Sequence, residues 1–84
     1  MKFKAEIDIM PLKELLDPQG KAVSNSMNNI GIPEIDNIRI GKHISLEINA
    51  TNESEASEKV KIACEKLLSN PVMEYFDFRL SPNH

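Results

Sequence analysis

One cysteine, Cys64, and no tryptophan leave this sequence without two usual supports of a very small domain. A single thiol closes no internal disulfide, and no thiolate zinc cluster can be assembled within one chain. Glycine occurs only three times, and none of the three sits in a Gly-rich loop that would cradle a nucleotide phosphate. A basic excess is also missing. Ten Lys and Arg against 13 Asp and Glu give a net charge of -3, which argues against a general nucleic-acid binder, since that needs a basic stripe to release counterions from phosphates. No apolar run approaches the roughly 20 residues that span a bilayer, and the start Met1-Lys2-Phe3-Lys4-Ala5-Glu6 has no signal-peptide apolar block, so the expected location is the cytoplasm, away from membranes.

What is present is ordinary globular material. The apolar share of 40% and charged share of 27% belong to an ordered chain. At 84 residues the sequence reads as a single domain, 1–84, and a domain of that size hides only about 60% of its unfolded surface. Stability is then on the order of 5 kcal/mol, and self-association or a larger complex is a natural supplement.

Phe3, Ala5, Ile7 and Ile9 alternate with Lys4, Glu6, Asp8 and Met10, the period of a strand with one apolar face, ended by Pro11. Lys13 to Leu16 connect to a helix start: Asp17 accepts from free first-turn amides, and Pro18 lacks an amide and already has helical φ. With Gln19 and Gly20 following, this start either receives an anion or is a cap with a small residue beneath a neighbouring chain. Leu15 or Leu16 packs across it. Val23, Met27 and Ile30 then fall on one helical stripe, which Gly31 and Pro33 end.

Ile38 and Ile40 alternate before Gly41-Lys42-His43, and Ile44, Leu46 and Ile48 after it. An odd loop, or a tight turn with a bulge, puts both sets on one face, so the pattern predicts an irregular hairpin pairing Ile40 with Ile44 and Ile38 with Leu46. Asn52 and Glu55 have capping-box spacing for a second helix, whose buried stripe is Ala56, Val60, Ala63, Cys64 and Leu67. Asn70-Pro71 stops it. Val72 opens a last strand bearing Phe76, Phe78 and Leu80, with Ser81 to His84 expected to fray.

The order is βαββαβ. Right-handed crossovers place both helices on one face of a four-stranded antiparallel sheet, a two-layer α+β sandwich of the ferredoxin-like type. The other face carries Lys4, Glu6, Asp8, Arg39, Ser45, Glu47, Asp77 and Arg79, polar and mixed in sign. An RNA-recognition module shares this strand order, but it stacks bases on aromatics where this chain has Arg39, Ser45 and Glu47.

No catalytic constellation emerges. His43 has no Ser or Cys nucleophile beside it and reads as a solvated or interface residue, and Cys64 as a small packed hydrophobe. Glu6 and Asp8 share a strand face, yet alternating carboxylates beside Lys4 are the pattern of a solvated surface. Arg39 and Lys42 near the hairpin tip fit a solvated face or a partner's carboxylate. The chain reads as an interaction or subunit protein rather than an enzyme on its own.

Three stretches, Leu16-Asp17-Pro18-Gln19-Gly20, Ile38-Arg39-Ile40-Gly41-Lys42 and Cys64-Glu65-Lys66-Leu67-Leu68-Ser69-Asn70-Pro71-Val72, together resemble the signature of the PurS family. That family supplies the small subunit of phosphoribosylformylglycinamidine synthase, a glutamine-dependent amidotransferase of purine biosynthesis. The resemblance implies a subunit without catalytic residues or a cofactor of its own. It bridges a synthetase (PurL-type) subunit, which binds ATP, magnesium and formylglycinamide ribonucleotide, and a glutaminase (PurQ-type) subunit, and it assists ammonia transfer as a homodimer or higher oligomer. His43 stands where the family leads one to expect an aromatic residue, and Ser69 where alanine is usual. Under the resemblance Asp17, Pro18, Gln19, Gly20, Arg39, Gly41 and Lys42 become interface candidates, with Asp17-Pro18-Gln19-Gly20 a rigid corner and Gly20 admitting a neighbouring chain. The competing reading is an amino-acid-sensing domain of the ACT type, which shares the sandwich layout.

Overall fold

The computed structural model describes residues 1–83; His84, part of the tail expected to fray, lies outside the described residues. Five main elements follow one another: β1 (Lys2–Pro11), α1 (Pro18–Asn29), β2 (Lys42–Asn49), α2 (Glu53–Ala63) and β3 (Glu74–Pro82). The α+β class holds. The sheet has three antiparallel strands in the order β2-β1-β3.

β1 is central because its alternation leaves an entire apolar side to cover. Phe3, Ala5, Ile7 and Ile9 are buried, flanked through the ladder by Ile44, Leu46 and Ile48 of β2 and by Phe76, Phe78 and Leu80 of β3. α2 lies over this face with Ala56 and Val60, and Cys64, just past its end, packs there too. It starts as its sequence dictates: Asn52 accepts the Glu55 N–H at 2.8 Å, and Glu55 reaches back to the Thr51 hydroxyl and amide, a capping arrangement. Those bonds and the Lys59 ammonium hold the Glu55 carboxyl down at about 2, the Thr51 hydroxyl contributing most.

The buried stripe of α2 departs from expectation at its end. Cys64–Leu68 form a π-helical turn, in which the Ser69 N–H donates to the Cys64 carbonyl at 2.9 Å and the Ser69 hydroxyl donates to the same oxygen at 2.8 Å. The wider turn rotates Leu67 outward, 82% exposed, and brings Leu68 to the core instead. The C-terminus differs too. Ser81 and Pro82 continue β3 rather than fraying, paired with Lys4 and Phe3, and the Asn83 N–H donates to the Lys2 carbonyl at 2.8 Å.

The larger correction concerns Ile35 to Ile40. The hairpin pairing Ile40 with Ile44 and Ile38 with Leu46 does not form, and the segment runs outside the sheet. Its amides are engaged elsewhere: Ile40 N–H donates to Asp17 Oδ2 at 2.8 Å and Ile38 N–H to Ser24 Oγ at 3.4 Å. α1 departs with it. No α1 residue joins the core clusters or packs against them, so one helix, not two, covers the sheet. Val23 and Met27 of its stripe are half-buried, and Ile30 is 65% exposed.

The core therefore depends on β1. Ile7→Ala, at a fully buried position of the central strand, is expected to lower the unfolding free energy by about 2–5 kcal/mol, measured by urea denaturation.

Candidate functional site

The first stretch singled out in the sequence forms a corner where β1 hands over to α1. Asp17 caps the helix in extended conformation, its Oδ1 accepting the Gly20 N–H at 3.0 Å. Its other oxygen accepts the Ile40 N–H at 2.8 Å, so one carboxylate ties the helix start to a segment 23 residues away. These amides, Ile40 first and Gly20 next, hold the Asp17 carboxyl below its ordinary value.

Arg39 completes the clamp. Its guanidinium donates to the carbonyls of Leu12 at 2.6 Å, Leu15 at 3.3 Å and Pro11 at 3.5 Å, fixing the connector from β1. A planar fork suits three carbonyls that turn toward one point. Expected on the sheet's polar face, it lies outside the sheet and holds its own chain.

Gly20 is the buried residue of α1. A Cβ built there overlaps the Ile38 carbonyl oxygen and crowds Asp17 Oδ2. The close approach anticipated from a neighbouring chain is thus made within this chain, by the extended segment before β2. Leu15 is half-buried against the corner, whereas Leu16 is 75% exposed.

Of the candidates, Asp17, Gly20 and Arg39 converge. Pro18 and Gln19 stand exposed beside them and with Leu15, Leu16, Ile40 and Met73 line an open cleft of about 530 Å³. Gly41 and Lys42 lie elsewhere: Lys42 pairs with Ile9 at the start of β2, and a Cβ at Gly41 would overlap the Ile9 carbonyl oxygen and the Met10 sulfur.

The polar side of the sheet carries a cluster that spacing along the chain did not reveal. Register sets Asp8 opposite His43 and Glu6 opposite Ser45. The His43 ring bridges both carboxylates, Nδ1 2.7 Å from Asp8 Oδ1 and Nε2 2.5 Å from Glu6 Oε2. Carboxylates only accept, so the bridge is complete when both ring nitrogens donate, which is the imidazolium form. Ser45 Oγ donates to Glu6 at 3.0 Å, Lys4 Nζ lies 3.2 Å from the same oxygen, and Arg79 donates to Asp8 at 3.1 Å. Asp8 first and Glu6 next raise the His43 pKa. His43 in turn contributes most to lowering Asp8, and to lowering Glu6 to about 2. The signal available in the sequence was parity, since all three sit on polar positions of their strands.

These groups satisfy one another and leave no nucleophile and base facing a substrate. Cys64 is buried, and desolvation pushes its thiol up, the opposite of activation. Among the described residues no group of three or more His, Cys, Asp or Glu is arranged to hold a metal ion, and no helix is long and apolar enough to cross a membrane.

The family model of PurS, phosphoribosylformylglycinamidine (FGAM) synthase, matches residues 4–82. The chain belongs to the PurS family. It is 40% identical over 78 residues to the phosphoribosylformylglycinamidine synthase subunit PurS of Thermotoga maritima, covering 92% of this chain and 94% of that one. The Bacillus subtilis subunit PurS is 32% identical, with 93% and 92% covered. Among solved structures, the Thermotoga maritima PurLQS structure includes a chain that superposes with TM-score 0.87 at 36% identity, covering 96% of this chain and 99% of that one. Methanocaldococcus jannaschii PurS, a subunit of formylglycinamide ribonucleotide amidotransferase in the purine biosynthetic pathway, superposes with TM-score 0.84 at 28% identity, with 98% and 99% covered.

Two outcomes test this geometry. Gly20→Ala is expected to lower stability by about 1–3 kcal/mol through overpacking, where helix propensity alone predicts a gain; urea denaturation gives the sign. The His43 bridge has a defined pH window. Its contribution is full below the ordinary histidine value of 6.5 and is lost as pH rises through the raised folded value. The contributions of Glu6 and Asp8 hold above their ordinary values of 4.5 and 3.8 and are lost as pH falls. Thermal melts from pH 5.5 to 8.5 should show the midpoint of the unaltered chain falling relative to that of His43→Gln, and an NMR titration should place His43 above 6.5.

Proposed function

We propose that the chain acts as the non-catalytic small subunit of phosphoribosylformylglycinamidine synthase, bridging the glutaminase and synthetase subunits in the cytoplasm and assisting ammonia transfer between them. The observation that carries this reading is family membership over residues 4–82, joined to a polar sheet face on which Lys4, Glu6, Asp8, His43 and Arg79 pair with one another. A structure of PurLQS from Thermotoga maritima contains a chain similar along nearly the whole length, which supports assembly with PurL-type and PurQ-type subunits. ATP and magnesium belong to the synthetase subunit in this reading, and this chain binds neither. Residues 1–84 act as one PurS-like unit, which self-associates.

Within this reading the corner is the surface offered to a partner. Asp17, Gly20 and Arg39 keep it rigid from behind. Leu16, Pro18 and Gln19 form the outward rim, a half-apolar edge of the kind that anchors a protein interface. Gly41 and Lys42, at the start of β2, set the far limit of the segment clamped against that rim.

Reconstitution tests the proposal. Adding the chain to purified glutaminase and synthetase subunits should raise glutamine-dependent turnover by at least ten-fold while leaving ammonium-dependent turnover of the synthetase nearly unchanged. Equal stimulation of both, or of neither, overturns the ammonia-transfer role. Leu16→Glu, at a side chain 75% exposed, should keep its melting temperature yet weaken the complex at least ten-fold in size-exclusion titration. Saturable amino-acid binding by the chain alone would favour the sensor reading instead.

A further inference from the structure

The three stretches that carry the family resemblance lie far apart in the chain and meet at one place. Leu16 and Pro18 of the first, Ile40 of the second and Asn70 of the third line the open cleft of about 530 Å³, together with Met73 and Glu74 just past the third. That volume is within the range of ligand-sized clefts. Backbone bonds fix its walls. The Leu12 N–H donates to the Met73 carbonyl at 2.9 Å and ties the connector after β1 to the turn before β3. In that turn the Met73 and Glu74 amides donate to the Asn70 carbonyl at 3.0 and 2.7 Å, and Glu74 Oε1 accepts the Asn70 N–H at 2.7 Å. A cleft held in this way needs little further ordering when it is filled.

Its lip is apolar and in contact with water: Leu16 and Met73 are exposed. Val72, outside the lining, is exposed as well. Apolar side chains standing both in and beside an open cleft suit an occupant that continues across the surface, as a protein segment does. Charge decides which segment fits. The lining holds two carboxylates, Asp17 and Glu74, and no lysine, arginine or histidine. Asp17 has one oxygen on the Gly20 amide, the other on the Ile40 amide, and the Arg39 charge near it. Glu74 has no such cover. One of its oxygens takes the Asn70 amide, and among the described residues no cation lies within ion-pair distance of it.

We propose that this cleft receives a segment of the glutaminase or synthetase in which an apolar side chain enters between Leu16 and Met73 and an adjacent lysine or arginine pairs with Glu74. The inference rests on the reading of the corner as a partner surface and deepens it by naming the chemistry of what docks there. Apolar walls lower the local dielectric and strengthen the pair. A segment bearing a carboxylate at that position meets Glu74 and Asp17 and is rejected, so the pair confers specificity as well as affinity.

Glu74→Gln is the direct test, because the amide oxygen can still accept the Asn70 N–H while the charge is gone. Fluorescence titration of the labelled chain with purified glutaminase and synthetase, separately and together, gives the affinity. Glu74→Gln should weaken binding about ten-fold and Glu74→Lys about a hundred-fold, with the melting temperature of Glu74→Gln unchanged. Raising NaCl from about 50 to about 300 mM should weaken binding of the unaltered chain more than that of Glu74→Gln. Glu58→Lys makes the same change of charge at an exposed residue of α2 and should bind as the unaltered chain does. Unchanged affinity of Glu74→Gln overturns the proposal, while the corner reading still stands or falls on Leu16→Glu and the reconstitution. Equal weakening by Glu58→Lys and Glu74→Lys also overturns it, since overall charge and not the cleft would then be responsible. A molar mass of the isolated chain that changes with Glu74→Gln in light scattering gives the cleft to a second copy and sinks the idea.

Discussion

Every strand-to-strand bond in the sheet passes through β1. β2 and β3 do not touch each other in the ladder; each pairs with β1 alone. A central strand in so small a protein must present one wholly apolar side and one wholly polar side, and the strict alternation from Phe3 to Ile9 does so. That constraint fixes where α2 lies, why Val60 and Cys64 are buried, and why Glu6 and Asp8 project together onto the opposite face. A slip of one residue would put carboxylates under α2 and isoleucines in water.

The second constraint is the carboxylate of Asp17. A helix cap needs one oxygen; here the second oxygen holds the Ile40 amide, and the consequence is a rigid unit of helix and extended segment rather than a helix laid on a sheet. Arg39 acts in the same way from the other direction, with three backbone carbonyls as partners. Residues that resemble a recognition motif in the sequence thus maintain the corner, and the outward rim of Leu16, Pro18 and Gln19 is what they hold in place.

The two positions where the chain departs from the pattern expected of its family are each answered by a bond. The Ser69 hydroxyl donates to the Cys64 carbonyl, a second bond to the oxygen that the Ser69 N–H already holds in the π-helical turn, and one that an alanine cannot add. His43 bridges Glu6 and Asp8 across strands, a role that requires two donors on one ring. Both residues act locally on the fold, and neither adds a reactive group to it.

Alternation, capping residues and prolines carried β1, α1, α2 and β3 in the sequence, because those signals act over a few residues and their physics is local. The polar cluster was half visible: parity put Glu6, Asp8 and Ser45 on one face, but only the antiparallel register brings His43 between the two carboxylates. Tertiary structure alone decided the fate of Ile35 to Ile40. Its alternation is that of a strand, and it became an arm because Asp17 and Ser24 offered its amides acceptors that no local pattern encodes. The insertion of a π-helical turn that exchanges Leu67 for Leu68 was likewise decided there, because α-helical and π-helical spacing differ by one residue and only packing against the sheet chooses between them.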